Sequence, residues 1–410
     1  MRMARTLADG TQAVPLYVSI YVSNLYRLFI AAVLACALTT GAFADARDQA
    51  KRMHDRLAGV PPSAAVLESM RSDIESGNPV AAALTAMQNP NFYNVTLKNW
   101  ATPWTNRDQT VFAPLNDYTA TVIGMVRDDV PFNTLLTADL VYHANGARNA
   151  SNATAPNYSA SSNAHYEWLE DNGIDLSTKL QPDLQSNLLG IPPQATAGIM
   201  TTRAAAEAFF VAGTNRAMFR FTLLNHLCKD LEQVKDITRP PDRIRQDVSR
   251  SPGGDSRIFL NNCVGCHAGM DPLAQSFAYY QFNETSGRLE YTQGNVQPKY
   301  HINSETFSPG YITPDDHWDN YWRAGQNSLL GWDNGLPGSG NGAKSMGEEL
   351  ANSDAFAACQ VKKAFRMVCL RDPVDGADRS KIETMASNFR NGGYKMKPVF
   401  AEAAVYCRGN

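Results

Sequence analysis

Several familiar signatures are missing from this chain. The apolar run Leu28–Leu38 is too short to cross a bilayer core, so a transmembrane anchor there is the poorer reading. Basic clusters are missing too, and the net charge is −3, which weighs against nucleic acid as a partner. No Ser-His-Asp arrangement and no Walker-type phosphate loop stands out, which removes the usual grounds for a triad hydrolase or an NTPase. Alternating apolar and polar stretches are few and tandem repeats absent, which excludes a β-rich or repeat architecture. Histidine is scarce, with seven in 410 residues, so any metal chemistry has few side chains to draw on.

What is present suits a globular protein. Hydrophobic residues make up 44% and charged residues 19%. The length exceeds one compact core and suggests two domains, 45–200 and 201–410, behind an N-terminal extension and signal peptide at 1–44. Arg27, the run Leu28–Leu38 and the small residues ending Ala42-Phe43-Ala44 read as the three parts of a secretory signal cleaved near Ala44. The residues before Arg27 fit no signal peptide and read as lying upstream of the true start. A rival reading is lipoprotein processing at Cys36, after Val33-Leu34-Ala35, which would tie the chain to a membrane. Either route takes the protein out of the cytoplasm, to the periplasm or cell surface. Without residues 1–44 there are 34 basic and 39 acidic residues, about −5, a surface that suits a basic redox partner.

The body of the chain reads as mostly α, multi-helix and loop-rich. Pro61-Pro62-Ser63 opens a helix whose apolar positions Val66, Leu67, Met70 and Ile74 share a face, and Gly77 stops it. A short Ala-rich helix follows Asn78-Pro79 up to Met87. Pro90 to Asn116 reads as an aromatic loop with Trp100 and Trp104. Helices are expected over Tyr118–Arg127 and Leu135–Tyr142, and Ala144–Ala164 reads as a flexible loop whose Asn149, Asn152 and Asn157 sequons are no more than composition. Thr201–Leu231 reads as one long helical stretch ended by Pro240-Pro241. Asp271-Pro272 reads as the N-cap and first residue of a new helix. The tail from Gly347 reads as three helices, broken near Asp372-Pro373 and Gly392-Gly393.

Cys263-Val264-Gly265-Cys266-His267 carries the chemistry. Each thiol can add to one haem vinyl group, two intervening residues let both sulfurs reach the porphyrin edge, and the adjacent histidine then lies under the iron. The competing readings are weaker. A thioredoxin-like pair should open a helix in a βαβ setting, and a structural zinc site needs further close ligands. The expectation is one covalent haem c held by Cys263, Cys266 and His267. Met346, after the Gly-rich loop Gly335–Gly342, is the first choice for the distal ligand. His301 is next, then His226 and His317, and an open position is the remaining alternative. An isolated methionine is most often core filler, and Met270 sits too close to His267 to be anything else. Asp315-Asp316-His317 reads as a solvated turn rather than a metal site.

Four further cysteines beyond Cys36 suggest two disulfides in an exported protein. If residues 348–368 form one helix, Cys359 and Cys369 lie roughly 15 Å apart along it, too far to bridge. The next two helices run down and back, returning Cys407 to the end that bears Cys369. The expected pairs are Cys369–Cys407 and Cys228–Cys359.

The stretch Asn262–Leu273, with the haem motif followed by Asp271-Pro272-Leu273, resembles the cytochrome modules of exported planctomycete and proteobacterial proteins. Ala274 replaces the usual Gly after Asp-Pro-Leu. Phe282-Asn283, Gly287-Arg288, and Leu350-Ala351 with Ser353, Phe356 and Cys359 resemble further parts of the pattern. The resemblance covers residues 119–407, loosely before 200. It implies a cytochrome c-like haem-binding helical domain, with Cys263, Cys266 and His267 as haem ligands and Asp271 as a structural cap. The activity of those modules is largely undefined.

The leading functional expectation is therefore an exported monohaem cytochrome that passes electrons between periplasmic or surface proteins, an electron carrier rather than a catalyst. A peroxidase- or oxygenase-like haem enzyme with an open distal site is the second, and a surface-assembly or structural cytochrome subunit the third. A single-haem carrier needs roughly a hundred residues, so the extra length points to recognition of a partner or substrate.

Overall fold

The computed structural model describes residues 44–211 and 213–409; the signal-peptide reading and Cys36 lie outside them. Among the described residues there are sixteen α-helices and six short strands, the strands forming three separate two-stranded antiparallel sheets. The protein is mostly α, as the sequence implies. No described helix is long and apolar enough to cross a membrane.

Local chemistry explains the N-terminal helices. Asp45 accepts the Asp48 N–H ahead of helix Ala46–Ala58, Ser63 accepts the Val66 N–H ahead of Ala64–Glu75, and Asn78 caps Pro79–Ala86 with Pro79 in its first turn. These three helices pack on one another and against the last helix, Met396–Tyr406. Arg52 and Arg56 donate to the carbonyls of Arg408 and Cys407 at 2.7 and 2.6 Å, tying the two ends together. One large apolar cluster runs from Ala50 to Ala404 and draws on both halves of the chain.

Several sequence expectations need correction. Pro90–Asn116 is not simply a loop: a π-helical turn Phe92–Leu97 continues into helix Lys98–Ala101 and a 3-10 turn Thr102–Thr105. Burial of Trp100 against Phe132 and Phe400, and of Trp104 against Trp100 and His226, stabilises it, since aromatic side chains contribute about 2–3 kcal/mol each when covered. Leu135–Tyr142 is not a helix. Val141–His143 is a strand paired with Gln181–Asp183, and the Thr121 hydroxyl accepts the Tyr142 N–H. Val141 and Tyr142 favour the extended form. Thr201–Leu231 is two helices, Arg203–Phe209 and Arg216–His226. Gly213 and Asn215 take left-handed φ of 64° and 58° between them, and the Asn215 amide donates to the carbonyls of Phe277 and Tyr280.

The tail keeps its three helices, Asp354–Cys369, Gly376–Asn391 and Met396–Tyr406, preceded by a separate helix Gly342–Ala351. Ser353 caps the second of these four, so the helix expected to begin at 348 begins after Ser353. Both disulfides pair as expected, Cys228–Cys359 and Cys369–Cys407. Ala144–Ala164 is irregular, but Ala144, Ala147 and Ala155 are buried in it.

Candidate functional site

The motif sits at the join of two helical forms. A π-helical turn, Phe259–Cys263, leads directly into helix Val264–Ala274, called the motif helix below. Phe259, Val264 and Ala268 pack with Ile244 and Val248 in a small apolar cluster, and Cys263 leans on it. On the other side the chain 231–237 closes over the motif. Asp236 N–H donates to the Gly265 carbonyl at 3.0 Å, Lys235 Nζ donates to the Asn261 carbonyl at 2.5 Å, and the Leu231 carbonyl lies 3.6 Å from Cys266 Sγ. Gly265 makes this approach possible, because a Cβ there would meet the Lys235 and Ile237 side chains.

The reading of Asp271-Pro272 as a helix start is overturned. The motif helix begins at Val264 and contains Pro272, so Asp271 lies one turn beyond His267 on the same face. Its carboxylate makes no capping bond. Asp271 is 1% exposed, and its Oδ1 and Oδ2 lie 3.1 and 3.2 Å from His267 Nδ1. Arg216 forks onto the same oxygens at 2.7 and 3.0 Å, and onto Asp247 at 2.6 and 2.9 Å. Burial alone would raise the Asp271 pKa, but Arg216, His267 and Arg245 outweigh it and hold the carboxyl well below its usual range. The carboxylate is therefore ionised, and it sits where it accepts from a proton on His267 Nδ1, which leaves Nε2 as the ring atom that can serve as a ligand.

Cys263 and Cys266 carry free thiols, while the other four described cysteines are bridged. Burial, with Glu232 adding, pushes the Cys266 thiol up. A redox-active pair needs the opposite, a thiolate stabilised by its surroundings. Ile237, Ile258 and Leu260, which lie against or just before the motif, are 67%, 41% and 57% exposed. Two free thiols one turn apart, an adjacent imidazole with Nε2 available and a fringe of bare aliphatic side chains together fit a haem held covalently on this surface.

The other candidates are scattered. Met346 is wholly buried in the main core, on helix Gly342–Ala351, which packs mainly against strand Ser339–Asn341 and the 3-10 turns Gln275–Phe277, Phe132–Thr134 and Pro193–Ala195. Met270 is likewise buried in that core. His301 is exposed on the turn Pro298–His301. His226 is buried with Nε2 2.8 Å from the Tyr118 hydroxyl, and burial pushes its pKa well down. His317 lies 3.5 Å from Asp319. In the turn before it, Asp315 accepts from the Gln275 amide and the His317 N–H. Among the described residues no cluster of three or more His, Cys, Asp and Glu side chains is arranged for a metal ion.

Arg216 and Asp247 are the site residues that sequence reasoning missed. The spacing of Asp271 four residues after His267 was the available signal, and Pro272 obscured it by suggesting a helix start. No family model, curated protein or solved structure matches this chain.

Proposed function

We propose that the protein is an exported monohaem c-type cytochrome that carries single electrons between periplasmic or surface proteins. The observation that carries this reading is the adjacency of Cys263, Cys266 and His267 on one exposed-edged helical turn, with both thiols free and Asp271 on His267 Nδ1, so that Nε2 is the ring nitrogen left to bind iron. A haem bound there supplies a one-electron iron couple. Cys263 and Cys266 would hold it through two sulfurs and His267 through one ring nitrogen, with Ile237, Ile258 and Leu260 as the exposed aliphatic side chains near the motif. The two disulfides favour an oxidising compartment. A second protein ligand on iron would close the site, which then shuttles electrons without binding a substrate at iron; Met346, the candidate from the sequence, is wholly buried in the main core. A redox protein of opposite surface charge is the partner this reading implies.

The test is the optical spectrum of the exported protein from a host that matures c-type cytochromes, with and without carbon monoxide. A low-spin spectrum indifferent to carbon monoxide is expected. Ready binding of carbon monoxide by the wild type would replace the carrier with a haem enzyme. Absence of haem absorbance would overturn the cofactor itself.

A further inference from the structure

We infer that Asp271 is a positioning residue that tunes the iron couple by drawing on the Nδ1 proton of His267, an assignment that rests on the cytochrome reading above. The carboxylate belongs to the same helix as the ligand and points back along it toward the imidazole. No backbone N–H donates to it, so it does not serve its helix as a cap. Its acceptor bonds go to the imidazole and to Arg216 alone.

Arg216 is not a partner for Asp271 alone. The guanidinium divides itself between Asp271 and Asp247, one cation against two carboxylates. The nearest further cation, Arg245, keeps Nε 3.9 Å from Asp247 and spends Nη2 on the Thr214 hydroxyl at 2.6 Å. Its Nε and Nη1 are buried without a hydrogen-bond partner. The carboxylate facing His267 is thus ionised and anchored in place, with Arg216, Arg245 and Arg250 as the cations that act on it. An Nδ1–H held by such a group shares its proton, and the ring gains electron density at Nε2. A more basic axial nitrogen favours ferric over ferrous iron, because the higher charge gains more from it.

The effect is separable from packing. Asp271→Asn keeps the shape and an oxygen that accepts from Nδ1–H, and removes the charge. Outer-shell partners of this kind are worth roughly 10–100-fold in metal affinity. Applied to the ferric–ferrous preference, that is a rise of about 60–120 mV, at 59 mV per tenfold for one electron.

The experiment measures the mass of covalently bound haem and then the midpoint potential, in the full chain, for wild type, Asp271→Asn, Asp271→Glu and Asp247→Asn. Asp271→Asn is expected to carry haem at the wild-type ratio with a higher potential, and Asp271→Glu to return part of the difference. Asp247→Asn frees Arg216 for Asp271 and is expected to raise the potential by less, without touching the His267 contact. A wild type lacking haem mass would fail the cytochrome reading and this inference with it. Haem present with an unmoved potential in Asp271→Asn would fail the inference alone. Should Asp271→Asn not fold, an unmoved potential in both other variants would overturn it equally.

Discussion

Gly269 and Trp322 occupy space that a single added carbon would contest: a Cβ on Gly269 would overlap the indole nitrogen of Trp322. Trp322 is wholly buried, and its Nε1 has no hydrogen-bond partner, so the ring is held by packing alone. It rests on Phe219, with ring centroids 5.8 Å apart, and carries the back of the motif helix.

Gly269→Ala should therefore destabilise the protein. Alanine gains about 1 kcal/mol of helix propensity over glycine, and overpacking a filled core costs about 1–3 kcal/mol. The steric cost wins because the indole has nowhere to retreat. Thermal unfolding should fall by a few degrees, with less haem retained. Gly376→Ala is the control, since a Cβ there meets nothing, and it should be neutral or slightly stabilising. Equal melting temperatures for the two variants would show that the Trp322 contact yields freely.

The two disulfides should differ in what they contribute. Cys228–Cys359 closes 131 residues and Cys369–Cys407 closes 38. On the chain-entropy model that is roughly 5 against roughly 4 kcal/mol. The first also anchors the segment that runs past Leu231 to Asp236, which lies against Cys266 and Gly265. Urea unfolding of the paired Cys→Ala variants should rank Cys228/Cys359 as the larger loss and show reduced haem loading for it alone. The reverse ranking would assign the main constraint to the tail.

These elements also mark what was legible in the sequence. The helices at Ser63 and Asn78-Pro79 and the Cys-x-x-Cys-His spacing follow from local signals, whereas Cys228–Cys359, 131 residues apart, was reached only by elimination once Cys369 was given to Cys407. Asp271 was misread because a proline usually announces a helix start, whereas here helix Val264–Ala274 tolerates Pro272 near its end. Arg216 and Asp247 were invisible because ion pairs across 55 and 31 residues leave no local pattern. The break at Gly213–Asn215 was missed because its cause is tertiary, the Asn215 amide bonded to the carbonyls of Phe277 and Tyr280.

Lys299 should give stability a rise on the alkaline side. Burial pushes its pKa down to about 8, and Nζ donates to the Phe210 carbonyl at 2.7 Å. Below pH 8 the ammonium is charged in the folded and unfolded chain alike, and the cost of burying it is fully present. Between 8 and about 10.4 the folded state sheds its proton first, the unfolded state binds more protons, and stability climbs with pH. The gain at this residue should be about 2 kcal/mol by pH 10. Urea titrations at pH 7 and pH 10 should show wild type gaining on Lys299→Met by that amount. A constant difference between them would mean that the amine stays charged or solvated.

Met346→Leu separates ligation from packing at the sixth position. Leucine conserves volume, so a wholly buried methionine should be replaced for less than about 1.5 kcal/mol, and unfolding should confirm an intact core. Only the sulfur is lost. With that sulfur on iron, the variant should turn high-spin and bind carbon monoxide, and the potential should move, because a thioether is a softer ligand than imidazole or water and favours the ferrous state. With the sulfur engaged only in packing, the spectrum of Met346→Leu should match wild type while Met346→Ala costs about 2–5 kcal/mol of stability. That second pattern would release Met346 from the site and bring His301, exposed on its 3-10 turn, to the front as the next residue to substitute.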